Sequence, residues 1–268
     1  MEQDASKIEK RKIYYARTYR YLNHNKREGI LYLLLLMVPG LIALLMYYGE
    51  ISAFVCEVAA RALQIMLPGV TIEFTQKAFI PFLDSVTAVV LPTTYPMPWF
   101  VAANVVVSLL ILLVLFRGKG QNNPLSIFLS IVLFIHLINC SFFFFAAGEF
   151  PYTSGEYSGL YMQQQVGVWL SFEIMAGLVT GILGSRNIPL RMASFFGILL
   201  YSFIFGVLRY IFALYIVYRF SILYVAMFFF ALGPFFDFLY FVAIYGIFLD
   251  RIIKNSHGEQ SMEEWRWS

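Results

Sequence analysis

The stretch Tyr201-Ser-Phe-Ile-Phe-Gly-Val-Leu-Arg209-Tyr-Ile-Phe-Ala-Leu-Tyr-Ile-Val217 decides the fold. Arg209 is its sole charged residue, and so apolar a run reads as a transmembrane helix. A guanidinium in hydrocarbon costs at least a few kcal/mol, so it is expected to face a bundle interior, a water cavity or a counter-charge. Arg209 is therefore the first candidate functional residue.

The rest of the chain has the same character. Of its 268 residues 60% are hydrophobic, 19% aromatic and 13% charged, with a mean hydropathy of +0.72. Soluble domains carry about 25% charged residues. The fold class expected is all-α, a polytopic integral membrane protein of about six spans. The apolar runs are 30–48, 98–116, 125–147, 166–184, 192–218 and 221–249. The first, with Tyr47-Tyr48 at its end and no small-residue cleavage site after it, reads as a retained signal-anchor.

Charge assigns the sides. Lys7, Lys10, Arg11, Lys12, Arg17, Arg20, Lys26 and Arg27 all precede the first run. By the positive-inside rule they place residues 1–29 in the cytoplasm. Interleaved with Tyr14, Tyr15, Tyr19 and Tyr21, they suit an amphipathic helix on anionic lipid better than a nucleic-acid surface, and no nucleic-acid partner is expected. Arg117 to Pro124, Gly184 to Arg191 and the tail 251–268 are basic or follow the last span, and are assigned inside. The segment Glu149 to Gln165 has no Lys or Arg and belongs outside. The resulting organisation is a membrane domain over 30–250 with outer segments of about 49–97 and 148–165. Both termini are cytoplasmic and the location is a bacterial-type inner membrane.

The outer segments are more than simple connections. Ile51 to Leu67 shows helical apolar spacing with Glu57, Arg61 and Gln64 opposite, and reads as an amphipathic helix in the outer interface, ended by Pro68-Gly69. Val70 to Gln76 alternates at period two like a strand, with Phe79 to Val90 as its candidate hairpin partner. Pro81 restricts that partner to an edge, and a β-free interfacial loop remains the alternative. Phe150 to Gln165, rich in Tyr, Ser, Gly and Gln, suits a hydrogen-bonding surface at headgroup level or contact with a polar partner chain.

Two carboxylates share the membrane with Arg209: Glu173 and Asp237. At 1.5 Å per residue, Arg209 lies roughly 27 Å from the inner boundary, Asp237 about 20 Å and Glu173 about 17 Å. Arg209 is thus toward the outer face. An ion pair with Asp237 or Glu173 would remove its uncompensated charge. As a staple the pair joins helices; as a site, Arg209 holds an anionic group from outside by bidentate hydrogen bonds. Gly233-Pro234 is expected to break the last helix, freeing carbonyls close to Asp237.

Other chemistry is sparse. Cys56 and Cys140 lack metal or redox spacing, and Cys140 reads as an apolar filler. His136 is the single histidine in a membrane run and reads as hydrogen-bonded structure. Neither a metal nor a cofactor is expected. No serine-hydrolase elbow, zincin, P-loop or dinucleotide fingerprint is present. No internal repeat supports an inverted-repeat transporter.

The segment Val166-Gly-Val-Trp-Leu-Ser-Phe-Glu173-Ile-Met175-Ala-Gly177, then Asn187-Ile-Pro-Leu-Arg, then Phe205-Gly-Val-Leu-Arg209, resembles the exosortase/archaeosortase family over about a third of the chain. That resemblance implies a polytopic enzyme that cuts a C-terminal sorting signal, using Cys-small-Gly, then Asn-x-x-Arg, then a His on a following helix. Here Met175 stands at the nucleophile, Phe205 or Gly206 near the Asn, and no His follows Arg209 before His257. Only Arg209 is retained. Methionine and phenylalanine cannot replace a thiolate and an imidazole, so the resemblance implies a relative that binds without cutting.

The function expected is a non-enzymatic membrane subunit that binds a partner protein, lipid or exported polymer at its outer face, within a complex of protein chains. Its 28 Phe and 18 Tyr supply wide packing surfaces. The alternatives are an exosortase-like or lipid-linked transferase-type enzyme, and a small-solute transporter using Arg209 and Asp237.

Overall fold

The computed structural model describes residues 26–93, 95–117, 123–182 and 188–256. The basic N-terminus, the connections at 118–122 and 183–187 and the end of the tail lie outside the described residues. In chain order the elements are α1 (Lys26–Tyr32), a π-helical turn (Leu33–Met37), α2 (Val38–Met66), β1 (Glu73–Ala78), β2 (Ser85–Val90), α3 (Pro98–Arg117) and α4 (Pro124–Ala146). Then follow α5 (Ser154–Ile182), α6 (Ile188–Arg219), a short α7 (Val225–Met227), a second π-helical turn (Phe228–Leu232) and α8 (Gly233–Ser256).

The protein is mostly helical. Among the described residues five helices are long and apolar enough to cross a membrane: Gly29–Met66, Pro98–Arg117, Pro124–Glu149, Ile188–Arg219 and Ile222–Phe248. The run expected at 166–184 falls on the second half of α5 as far as Ile182, and α5 is not among these five. Large exposed side chains such as Leu110, Val114, Phe134 and Phe145 place apolar helix surface where a bilayer would meet it.

Two readings of the sequence are corrected. The first span does not end at Tyr48 to give way to a separate interfacial helix, because α2 continues to Met66. Gly49 lets the helix pass close to the hairpin, since a Cβ there would collide with the Asp84 carboxylate. The amphipathic stripe is present, but it covers the hairpin. Ser52 Oγ accepts from Thr87 N at 3.0 Å, Cys56 Sγ donates to Thr87 O at 3.1 Å, and the Tyr48 hydroxyl donates to Asp84 O. Glu57 and Arg61 lie on the exposed side as an i,i+4 pair. The second concerns the outer segment 148–165, to which the sequence pattern assigns no helix or strand. It is helical from Ser154, with Tyr157, Tyr161, Gln165 and Trp169 forming one buried stripe. Thr153-Ser-Gly-Glu156 starts that helix as a capping box: Thr153 N donates to Glu156 Oε2 at 2.8 Å and Glu156 N to Thr153 Oγ1 at 3.3 Å. The Thr153 backbone N–H and then its hydroxyl hold the Glu156 carboxyl below its ordinary range.

The hairpin is antiparallel, with Glu73 opposite Val90 and Ala78 opposite Ser85. Pro81 falls in its loop, so β2 starts at Ser85 with every ladder donor available. The outer edge of β2 is closed by side chains: Ser52 takes Thr87 N, and the Tyr210 hydroxyl takes Val89 N at 2.8 Å.

The chain divides into two compact units, 1–43 with 170–201 and 241–268, and 44–169 with 202–240. In the first, small residues permit close helix approach. A Cβ on Gly29 would lie 3.0 Å from Gly181 O, one on Gly181 3.0 Å from Leu33, and one on Gly177 2.7 Å from Met37. Glycines four apart on α5 thus seat α1 and its π-turn, the close-packing device of membrane helices. Glu173 lies further along the same seam, against Gly40.

Candidate functional site

Arg209 is the centre of a polar cluster in the second unit. Its Nη1 donates to Asp237 Oδ2 at 2.5 Å and its Nη2 to Gln165 Oε1 at 2.5 Å. Its Cζ lies 5.6 Å from the centre of the Tyr161 ring. Arg209, Asp237, Gln165 and Tyr161 are 9, 4, 0 and 1% exposed. Two glycines admit the arrangement. A Cβ on Gly233 would stand 3.0 Å from Arg209 Nη1, and one on Gly206, a turn before Arg209, would collide with the Gln165 amide. The Tyr240 hydroxyl donates to Ser202 Oγ at 2.9 Å and also faces the Asp237 carboxylate.

The second π-turn explains how α8 comes to present Asp237. Pro234 has no N–H, so a helical carbonyl before it is left without its donor. The helix widens over Phe228–Leu232, and Gln164 Nε2 donates to Phe229 O at 3.0 Å. The glutamines 163–165 thereby serve three elements. Gln163 Nε2 donates to Ala78 O of β1 at 2.6 Å, Gln164 serves the π-turn and Gln165 serves Arg209. Their clustering reads as a hydrogen-bonding surface for headgroups or a partner chain, whereas these hydrogen bonds are made within the protein.

The candidates do not all converge. Arg209 and Asp237 meet, whereas Glu173 belongs to the first unit with its Oε1 lacking a hydrogen-bond partner. Among the described residues no ion pair engages Glu173; those present are Arg209–Asp237 and the exposed Arg61–Glu57.

Sequence reasoning missed a second buried arginine. Arg191, read as a basic residue of a cytoplasmic connection, lies in the first turn of α6 and is 2% exposed. Its Nε donates to Thr180 O at 2.8 Å and its Nη2 to Gly181 O at 3.1 Å, and its Cζ lies 4.2 Å from the Tyr32 ring centre. It supplies donors and positive charge to the carbonyl end of α5, where the helix dipole favours a cation.

A thiol and an imidazole do approach each other in the second unit. Cys140 Sγ is 3.5 Å from His136 Nε2, and Asn104 Oδ1 is 3.4 Å from the same nitrogen. A nucleophile and an orienting group must use opposite ring nitrogens. Here both crowd Nε2 while Nδ1 has no partner, and the ring stacks on Tyr224 at 5.2 Å and 7°. This is hydrogen-bonded packing of α3, α4 and the Ile222–Tyr224 turn. Among the described residues no group of His, Cys, Asp and Glu has the arrangement of a metal site.

Fold and site together define a helical membrane protein with a buried, ion-paired arginine. Comparison with protein-family models, curated proteins and solved structures finds no match.

Proposed function

We propose that the chain is a non-enzymatic integral membrane subunit that binds a partner at its outer face. In this reading it spans a bacterial-type inner membrane six times, with α5 as the sixth span. Both termini are cytoplasmic, and the hairpin and the start of α5 lie outside. The Arg209–Asp237–Gln165 cluster is the counter-charge centre that holds the binding face in shape.

The observation that carries this reading is the occupancy of Arg209. Both terminal nitrogens are engaged by acceptors of the same chain. An arginine that stabilises a transition state must offer donors to the reacting group. The exosortase-like resemblance is compatible as ancestry: Met175 offers no thiol, and the retained Arg209 is committed to Asp237.

The test is purification of the full chain from native membranes in mild detergent. The expected result is a complex of fixed stoichiometry that survives Arg209→Lys, since lysine still pairs with Asp237. A monodisperse single chain would overturn the subunit reading. So would processing of a second protein that Arg209→Lys abolishes while assembly persists, because that outcome is enzymatic.

A further inference from the structure

The hairpin has a direction, and two helices of the same unit give it independently. Along α2, Asp84 O accepts from the Tyr48 hydroxyl, while Thr87, further along β2, meets Ser52 and Cys56, further along the helix. The apolar run that ends at Tyr48, 30–48, is about 28 Å long at 1.5 Å per residue, close to the roughly 30 Å of bilayer hydrocarbon. Tyr48 therefore marks the boundary at which α2 leaves the bilayer. Along α5, Ser154 Oγ donates to Leu91 O at 2.6 Å beside the open end of the hairpin, and Gln163 Nε2 donates to Ala78 O at 2.6 Å beside its loop. The apolar half of α5 begins at Val166, just past Gln163. By both rulers the loop between β1 and β2 points towards the bilayer and the open end points away.

That loop, Phe79-Ile-Pro-Phe-Leu83, carries no charge. The first charge after it, Asp84, sits against Gly49 at the boundary. Leu83 N donates to Ile80 O at 3.2 Å, which closes a turn with Pro81 and Phe82 at its corners. Phe82 has a φ of 70°, the left-handed region that a type II turn requires after its proline and that Gly or Asn normally fills. For a bulky ring this is a strained conformation. The turn gains nothing from phenylalanine at that corner, and the ring gains nothing from packing, since Phe82 is 106% and Leu83 48% exposed. Behind them Phe79 stands edge-on to Tyr48 at 5.8 Å and 81°, which fixes the loop on α2. A ring held out at a strained apex recovers its transfer free energy only in an apolar phase. The surface beside it is of the same kind: Met46 and Tyr47, on α2 just below the boundary, are 64 and 51% exposed. Aromatic residues at such boundaries form the interfacial belt of membrane proteins.

We propose that the turn Ile80–Leu83 dips into the lipid where α2 leaves the bilayer, with Phe82 as its anchor. The hairpin is then tethered to the membrane as well as to α2 and α5. The proposal rests on the placement of the hairpin outside the membrane in the reading above, and on none of its protein partners. The test is site-directed spin labelling of the full chain in phosphatidylcholine vesicles. A nitroxide is attached in turn at Phe82→Cys, Leu83→Cys and Glu73→Cys, the last at the open end of the hairpin. The parent chain, whose Cys56 and Cys140 are buried, gives the background. Collision with oxygen, which concentrates in lipid, is compared with collision with a water-soluble nickel chelate.

Oxygen is expected to dominate at positions 82 and 83 and the chelate at position 73, so that the ratio inverts along the hairpin. Leu83→Cys retains Phe82. Adding Phe82→Gly to it removes the anchor while relieving the turn, and the label at position 83 should then shift towards the chelate. A chelate-dominated ratio at both tip positions would overturn the proposal. So would shielding from both reagents, which would set the turn against protein, or a ratio at position 83 that Phe82→Gly leaves unmoved. A partner complex with a water-exposed turn leaves the subunit reading standing and removes this one. A lipid-exposed turn on a chain that joins no complex does the reverse.

Discussion

Arg191 and Arg209 are both buried cations on α6, and the protein accommodates them by different means. Arg191 meets backbone carbonyls at the end of α5 and the face of Tyr32 and, among the described residues, pairs with no carboxylate. Arg209 meets a carboxylate, a side-chain amide and the face of Tyr161. Among the described residues the first arrangement has no counter-ion, and its positive charge is stabilised by a helix dipole that acts only over the last turn. The second is neutral overall and independent of any helix end. A cation solvated by a helix terminus serves to join two consecutive helices. One neutralised by a distant carboxylate binds elements far apart in sequence, here 28 residues.

The comparison breaks most sharply at Asp237. Asp237→Ala leaves Arg209 buried with its charge unpaired, and a loss of about 3–5 kcal/mol is expected. The check is denaturant unfolding of the detergent-solubilised protein. Arg209→Met with Asp237→Leu should recover most of that loss, because the pair then leaves together. If the double variant is as unstable as Asp237→Ala, the cost lies in packing and not in charge.

Arg191→Ala is expected to cost less, about 1–3 kcal/mol, since it deprives carbonyls of donors but strands no opposite charge. Arg191→Lys should recover part of it, because a point charge still meets the helix dipole but cannot reach both carbonyls with a planar fork. The same unfolding measurement separates the three proteins. A larger effect for Arg191→Ala than for Asp237→Ala would reverse the ranking of the two sites.

The smallest effect belongs to the other end of α5 and uses an anion in place of a cation. Glu156 has its carboxyl held below the ordinary value of 4.5 by Thr153. A depressed folded value contributes stability above the unfolded value and loses it as pH falls through the folded one. Hydrogen exchange at the Thr153–Tyr157 amides should be steady at neutral pH and show reduced protection below about pH 4, once the intrinsic rate is divided out. Both arginine sites should be unmoved there. Unchanged protection in Glu156→Gln at neutral pH would show that the cap contributes nothing.

Much of the helical scaffold was legible from hydropathy. Runs 98–116 and 125–147 match α3 and α4 closely, because apolar length alone identifies a spanning helix. The alternation pointed to the hairpin, with a β-free loop as the alternative, but both strands start later than the pattern suggested, and Pro81, read as part of the second strand, falls in the loop. Gly49 was misread as the end of a span. Its role is to admit Asp84, a residue 35 positions away, and local pattern carries no trace of that contact. The helix in the polar half of α5 was not legible for a related reason. Glutamines look like solvent-seeking residues until the carbonyls and the guanidinium they satisfy are brought to them.

The amino-acid sequence by itself determined that this is a helical membrane protein and that Arg209 needs a counter-charge, since both follow from transfer free energies that act residue by residue. It also marked Asp237 and Glu173 as the acids able to supply that charge. Only the tertiary structure decided between them. Ion pairing acts over a few ångströms, and the contacts that bring Asp237 within that range come from Gly233, Gly206, Gln164 and the π-turn before Pro234. Each contributes through a partner distant in the chain, and their joint geometry exists only once the helices are packed.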